Sequence, residues 1–230
     1  MLKQGLVAIL LYSVLIPTTQ AYTFDTAKVY IKTLYANYYP NGKYFYTQCP
    51  IDEDCSIVIH YKRHNTVAYQ HTFSVEHVVP ASTMADHTGC GDMRREDCAR
   101  KSKWFRNCYT DLNNLYPSSM LINSLRSDMV LKDLQSVPTK NLYDGLYPVL
   151  VNEDRTAVEP PDVVKGMVAR AYLHMEKRGC VRPSVEDMTT YQLWDKTFPP
   201  SDEELVRTLY ITSKTKITNV FITNHKLKKR

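Results

Sequence analysis

After its first two dozen residues the chain has no apolar run long enough to cross a bilayer, which excludes a helical membrane protein. It has no Gly-x-Ser-x-Gly elbow and no His-Glu-x-x-His pair, so the signatures of serine hydrolases and zincins are both missing. Its cysteines never fall at Cys-x-x-Cys spacing, the commonest zinc pattern. His174-Met-Glu176 supplies half of a zinc deaminase signature, but the required Pro-Cys-x-x-Cys does not follow. There is also no internal repeat, no low-complexity tract, no evident linker and no Asn-x-Ser/Thr sequon.

What is present begins with a leader. Lys3, the apolar stretch GLVAILLYSVLI and the small-residue segment PTTQA read as a secretion signal over residues 1–21, with cleavage after Ala21. Its removal takes away one charge, so the formal +5 falls to +4. Residues 22–230 are enough for one domain with a sizeable core. An exported protein, secreted or periplasmic and without a membrane anchor, is the expectation. The six cysteines suit that compartment and read as disulfides. Several connectivities are open. Proximity favours Cys49–Cys55 and Cys90–Cys98, which leaves Cys108–Cys180 as a long staple.

Periodicity places a helix over FDTAKVYIKTLYANYY, capped by Thr23 or Asp25. Short strands are expected in SIVIHY, TVAYQHTF and SVEHVV, and a long folded loop over 82–110. Pro117 and Ser118 are placed at the start of a helix that carries Asn123 and Arg126. The segment VPTKNLYDGLYPVLVNEDRTAVEPP reads as irregular with one short strand. Helices follow near 162–177 and 185–197, and another begins at Ser201, where Ser201 and Glu204 form a capping-box pattern. The pattern is α+β in a single domain.

The chemistry concentrates at SVEHVVPAS. Glu76 and His77 stand side by side on a strand end, where a buried carboxylate needs a partner; the pair is either a local salt link or part of a site. His60, His64 and His71 lie at no ligand spacing and read as structural or surface residues. A basic stretch holds Arg94, Arg95, Arg100, Lys101, Lys103 and Arg106; on charge alone it reads as a solvated face. Taken together, an imidazole, a carboxylate, an amide and an arginine can make a phosphodiester hydrolysis site. The imidazole takes a proton from water, hard oxygen ligands suit Mg²⁺, and a guanidinium grips phosphate.

The run from EHVVPAS through GCGDMRREDCAR to DLNNLYPSSMLINSLRSD resembles the endonuclease I family, exported nucleases with a ββα-metal (His-Me) finger. The likeness resumes at AVEPPDVVKGMVARAYLHM and continues more weakly through LWDKTFPPSDEE. It implies a ββα-metal core with additional helices and disulfides. It also implies an endonuclease cutting DNA and RNA with little sequence preference, leaving 5′-phosphates. By position it makes His77 the general base, Glu76 and Asn123 the metal ligands, and Arg95 a phosphate-binding arginine between Cys90 and Cys98. Arg126 joins them as a substrate-binding residue. The implied ion is Mg²⁺, with Mn²⁺ or Ca²⁺ as alternatives, and the implied state is a monomer.

Three departures from the family pattern stand out. Asn113 replaces a histidine, Tyr109 replaces an acidic residue, and a Gly-Asn-x-Asn-Pro pattern is reduced to TKITNVF. All three are expected to lie away from the base and the ligands. Two rival readings remain at this level. A nucleic-acid binder without turnover would fail to nick DNA in magnesium, and an RNase-restricted enzyme would spare DNA while cutting RNA.

Overall fold

The computed structural model describes residues 22–38, 42–51, 53, 57–61, 65–69, 72–135, 137–143 and 149–227. The expected leader, Cys55, His64 and His71 lie outside these residues.

Helix α1 (Phe24–Tyr38) buries Ala27, Ile31 and Leu34. The hydroxyl of Thr23 accepts from Thr26 N–H at 3.3 Å, making it the cap. Strands β1 (Ile57–Tyr61), which contains His60, and β2 (Asn65–Tyr69) form an antiparallel hairpin. Strand β3 (Phe73–His77) follows, so the three strands expected from β-branched and aromatic content are present.

The segment expected to be one long loop is instead mostly helical: α2 (Ala81–His87), α3 (Arg95–Lys101) and α4 (Lys103–Tyr109). Each is about two turns long, too short for a polar segment to show an amphipathic period. What fixes them is burial of Met84, Cys98, Phe105 and Cys108. A single 3₁₀ turn (Leu112–Asn114) leads into β4 (Leu115–Ser119), which pairs antiparallel with β3.

Pro117 and Ser118 therefore sit in a strand, not at a helix start. The proline is tolerated because this sheet has only two strands, leaving one side of β4 with no ladder partner to demand an N–H. Helix α5 (Met120–Arg126) begins directly afterwards. It ends at Ser127, whose φ of 53° turns the chain away. β3, β4 and α5 make the ββα order expected from the resemblance.

The next region is more ordered than its irregular composition implied. Strands β5 (Val130–Leu131), β6 (Thr139–Asn141), β7 (Leu150–Asn152) and β8 (Ala157–Glu159) form one sheet in the order β5-β8-β7-β6. Strands of two or three residues cannot display alternation, so sequence pattern is silent on them. Helices α6 (Asp162–Lys177), α7 (Val185–Thr197), α8 (Asp202–Thr215) and α9 (Val220–Leu227) complete the α+β domain. The first three fall where the sequence placed them. Ser201 caps α8 by accepting from Glu204 N–H at 3.2 Å. The Glu204 carboxylate does not close the capping box; it receives two hydrogen bonds from buried Arg170, at 3.0 and 2.6 Å.

Two disulfides, Cys90–Cys98 and Cys108–Cys180, are formed as expected, with Cα–Cα distances of 5.9 and 5.6 Å. The second ties the end of α4 to the segment after α6. Beside it lies a polar tie. Buried Asp111 accepts from Asn113 N–H at 2.9 Å and from His174 Nε2 at 3.0 Å, and pairs with Arg178 at 3.0 Å. Burial alone would raise the Asp111 carboxyl, but His174, Arg178 and the Asn113 hydrogen bond outweigh it and hold the group well below the usual carboxylate range. A depressed carboxyl contributes stability above its unfolded pKa and loses it as pH falls toward the folded value. Asp111→Asn should therefore lower the unfolding free energy at neutral pH by about 3 kcal/mol. Urea titrations across acidic pH should show the gap between variant and parent narrowing below about pH 4.

Candidate active site

Alternation along β3 sends Glu76 and His77 to opposite faces, yet both border one cleft because it opens at the strand's end. The cleft measures about 140 Å³ and is also lined by Phe24, Arg95, Tyr109, Asn123, Arg126 and Asp128. Every residue assigned a role in the sequence thus converges on one place, although Arg95 comes from α3 and Asn123 from α5.

Glu76 is 1 % exposed. Its Oε1 accepts from Tyr46 Oη at 2.6 Å and from Arg126 Nη1 at 2.7 Å. Its Oε2 is buried and has no hydrogen-bond partner. Burial raises the Glu76 carboxyl, against the pull of the Arg126 charge and of both hydrogen bonds. Asn123 donates its amide N–H to Ser74 Oγ at 3.0 Å and to Val75 O at 3.2 Å. With the nitrogen held on that side, the carbonyl oxygen is the end of the amide available to a cation.

The site therefore offers one carboxylate oxygen without a donor and one amide oxygen, both hard ligands. That set fits a hard divalent cation that keeps positions for water and phosphate. No cluster of three or more His, Cys, Asp or Glu side chains suited to a metal occurs among the described residues.

His77 is held by a main-chain atom. Its Nε2 lies 2.8 Å from Tyr109 O; a carbonyl only accepts, so Nε2 carries the proton and Nδ1 keeps the lone pair. The ring stacks on Tyr109 at 4.8 Å and 6°, and on Phe24 at 4.9 Å and 28°. Burial pushes the imidazole down to about 4. The hydrogen bond to Tyr109 opposes that shift, while Arg95 and Arg126 add to it. His77 is thus neutral at physiological pH and ready to accept a proton on Nδ1.

Tyr109 corrects one expectation: this departure from the family pattern touches His77 directly, through both its carbonyl and its ring. Arg126 also differs in place from a phosphate-gripping residue. It is 1 % exposed, and its guanidinium donates to Glu76, to His77 O at 2.8 Å and to Val78 O at 2.7 Å. It sits beneath the site as the counter-ion of Glu76. Asn114 is buried and gives both ends of its amide to the Val79 backbone, at 2.7 and 3.0 Å.

Arg95 is exposed at the first turn of α3. Its charge bears on His77 and Tyr109. Within the same basic stretch, Arg100 pairs with Asp97, and Arg106 Nη1 donates to Ala99 O at 2.8 Å. Those two belong to the surface and the local fold.

Residues the sequence did not single out are Tyr46, Phe24 and Asp128. Tyr46 comes from the turn after α1, and Phe24 from the first turn of that helix. Nothing in their local patterns marks them. Asp128 follows Asn123 and Arg126 closely enough for proximity to have flagged it.

The sequence pattern of the Endonuclease I family matches residues 1–226. The chain belongs to that family. Among its relatives, an extracellular deoxyribonuclease of Aeromonas hydrophila is 33% identical over 149 residues, covering 64% of this chain and 63% of that protein. A periplasmic deoxyribonuclease of the same organism is 32% identical over 149 residues, covering 64% and 61%. An Endonuclease-1 of Buchnera aphidicola subsp. Acyrthosiphon pisum (strain APS) is 28% identical over 154 residues, covering 67% and 60%. The matched region spans less than two-thirds of the length of each. No helix among the described residues of this family member is long and apolar enough to cross a membrane.

The aromatic faces on His77 generate a direct test. Phe24→Ala should admit water to the ring and raise the His77 pKa from about 4 toward its ordinary value. An NMR titration of the imidazole in chelator-treated protein reads the shift.

Proposed function

We propose that this protein is an exported, divalent-metal-dependent endonuclease that hydrolyses DNA and RNA with little sequence preference, leaving 5′-phosphates. The observation that carries the reading is the single cleft joining a neutral His77, the partnerless Oε2 of Glu76, Asn123 and exposed Arg95. Related proteins named as extracellular and periplasmic deoxyribonucleases support DNA as substrate and export as the destination.

In this mechanism His77 acts through Nδ1, with Nε2 fixed on Tyr109 O. Nδ1 takes a proton from a water molecule as the water oxygen attacks phosphorus. The P–O3′ bond breaks, the phosphate stays on the 5′ side, and the departing 3′ oxygen takes a proton from solvent. Glu76 and Asn123 would hold the cation, which we assign as Mg²⁺. When bound, that cation supplies positive charge against the pentacoordinate phosphorus and the leaving oxygen. Arg95 grips a non-bridging phosphate oxygen with its guanidinium fork. Phe24 and Tyr109 keep bulk water off the imidazole so that it remains unprotonated. None of these groups reads a base edge, which accounts for cleavage without sequence preference.

Incubating purified protein with plasmid DNA and with RNA, with and without chelator, tests the reading. Cleavage that requires the divalent ion is expected on both substrates; DNA left intact in magnesium would refute it. His77→Ala should lower cleavage by at least ~10²-fold in protein that remains folded, with a melting transition lowered by the lost stacking and hydrogen bond. At sub-saturating DNA, cleavage should fall steeply as salt rises, and Arg95→Ala should make that dependence shallower. The Arg95 loss should be the same across sequences, checked by comparing rates on duplexes of different composition.

A further inference from the structure

We propose that Tyr46 is a positioning residue for the cation-binding carboxylate. Its hydroxyl, together with Arg126, occupies Oε1 of Glu76 and so reserves Oε2 for the ion. The inference rests on the cation reading above and names the group that fixes where the unbonded oxygen points.

A carboxylate has two equivalent oxygens that exchange by rotation about the last side-chain torsion, a soft twofold barrier. A single donor would let the carboxylate pivot about that one bond, so the direction of its other oxygen would not be fixed. Here two donors reach the same oxygen from different parts of the chain: Tyr46 Oη at 2.6 Å, 30 residues upstream, and Arg126 Nη1 at 2.7 Å, 50 residues downstream. Tilting the carboxylate out of its plane would break both bonds at once. The result is the observed asymmetry, with Oε1 doubly bonded and Oε2 buried and partnerless.

Tyr46 is itself well anchored. It is 1 % exposed, and its carbonyl accepts from Tyr143 Oη at 3.3 Å. The neighbouring Phe45 N–H donates to Pro117 O at 2.8 Å, fastening the turn to β4, and the Phe45 ring meets the Tyr46 ring edge-on at 5.0 Å. The phenol therefore cannot follow Glu76 if the carboxylate moves. It acts as a stop delivered from outside the ββα unit. Outer partners of this kind orient ligands and typically change metal affinity by about 10–100-fold.

Tyr46→Phe keeps the ring and removes only the hydroxyl. Mn²⁺ binding, followed by calorimetry without nucleic acid, should weaken by about tenfold. The Mn²⁺ concentration giving half-maximal cleavage should rise in parallel, while kcat at saturating Mn²⁺ stays within a few-fold of the parent. A purely structural role would lower the melting temperature and leave the Mn²⁺ affinity unmoved; unchanged affinity in the folded variant overturns the inference. Glu76→Gln is the control: if it too binds Mn²⁺ like the parent, the cation reading fails and takes this inference with it. A second measurement needs no Tyr46 variant. The Mn²⁺-induced infrared difference spectrum, parent minus Glu76→Gln, should show the wide carboxylate splitting of one-oxygen coordination, and a two-oxygen pattern would overturn the proposal.

Discussion

A guanidinium buried beside a buried carboxylate holds the functional end of this protein together. Arg126 reaches back from the last turn of α5 and bonds Glu76, His77 and Val78 in succession, so helix and strand end behave as one rigid piece. Neither charge could stay in that interior alone. A buried ion pair of this kind adds little to stability compared with apolar packing, but losing one member strands the other. Its contribution is positional: it fixes which groups face the cleft. The α5 helix that supplies Arg126 also supplies Asn123, so one rigid turn sets both the counter-ion and an amide at the site.

Around that piece, other buried arginines tie elements together. Arg170 ties α6 to α8 through Glu204, and Arg207 of α8 donates to Leu112 O and Leu115 O at 2.6 and 2.7 Å, on either side of the 3₁₀ turn. Arg207 also lies 3.9 Å above the Tyr116 ring. Buried cations thus join the C-terminal helices to β4, the strand paired with β3. The cleft itself lies between this interior and the exposed first turn of α3, where Arg95 meets solvent.

Legibility in the sequence followed element length and the locality of the signal. Helices α6 and α8 were readable because about four turns display a full amphipathic period, and Ser201 announced its cap. Helices α2 to α4 and strands β5 to β8 were not readable, since two turns or three residues are too short to show either period. At the site, Glu76, His77, Arg95 and Asn123 were legible through the spacing of a known motif. What the sequence hid was direction and partnership. Arg126 looked like a substrate-binding residue because an arginine's burial depends on a carboxylate fifty residues away. Phe24 and Tyr46 were invisible because they reach the cleft and the buried Glu76 carboxylate, respectively, from separate stretches of chain. Tyr109 was visible only as a departure from the pattern; its contact with His77 follows from how α4 ends.

The bond from His77 to the carbonyl of Tyr109 has an evolutionary side. A main-chain oxygen is present whatever residue the codon specifies, so substitution at position 109 cannot delete the atom that fixes the histidine tautomer. Drift there can exchange an acidic side chain for an aromatic one and adjust how wet the imidazole is, while its orientation persists. The position becomes a dial for the acidity of the imidazole that a lineage can turn without losing the bond that orients the ring.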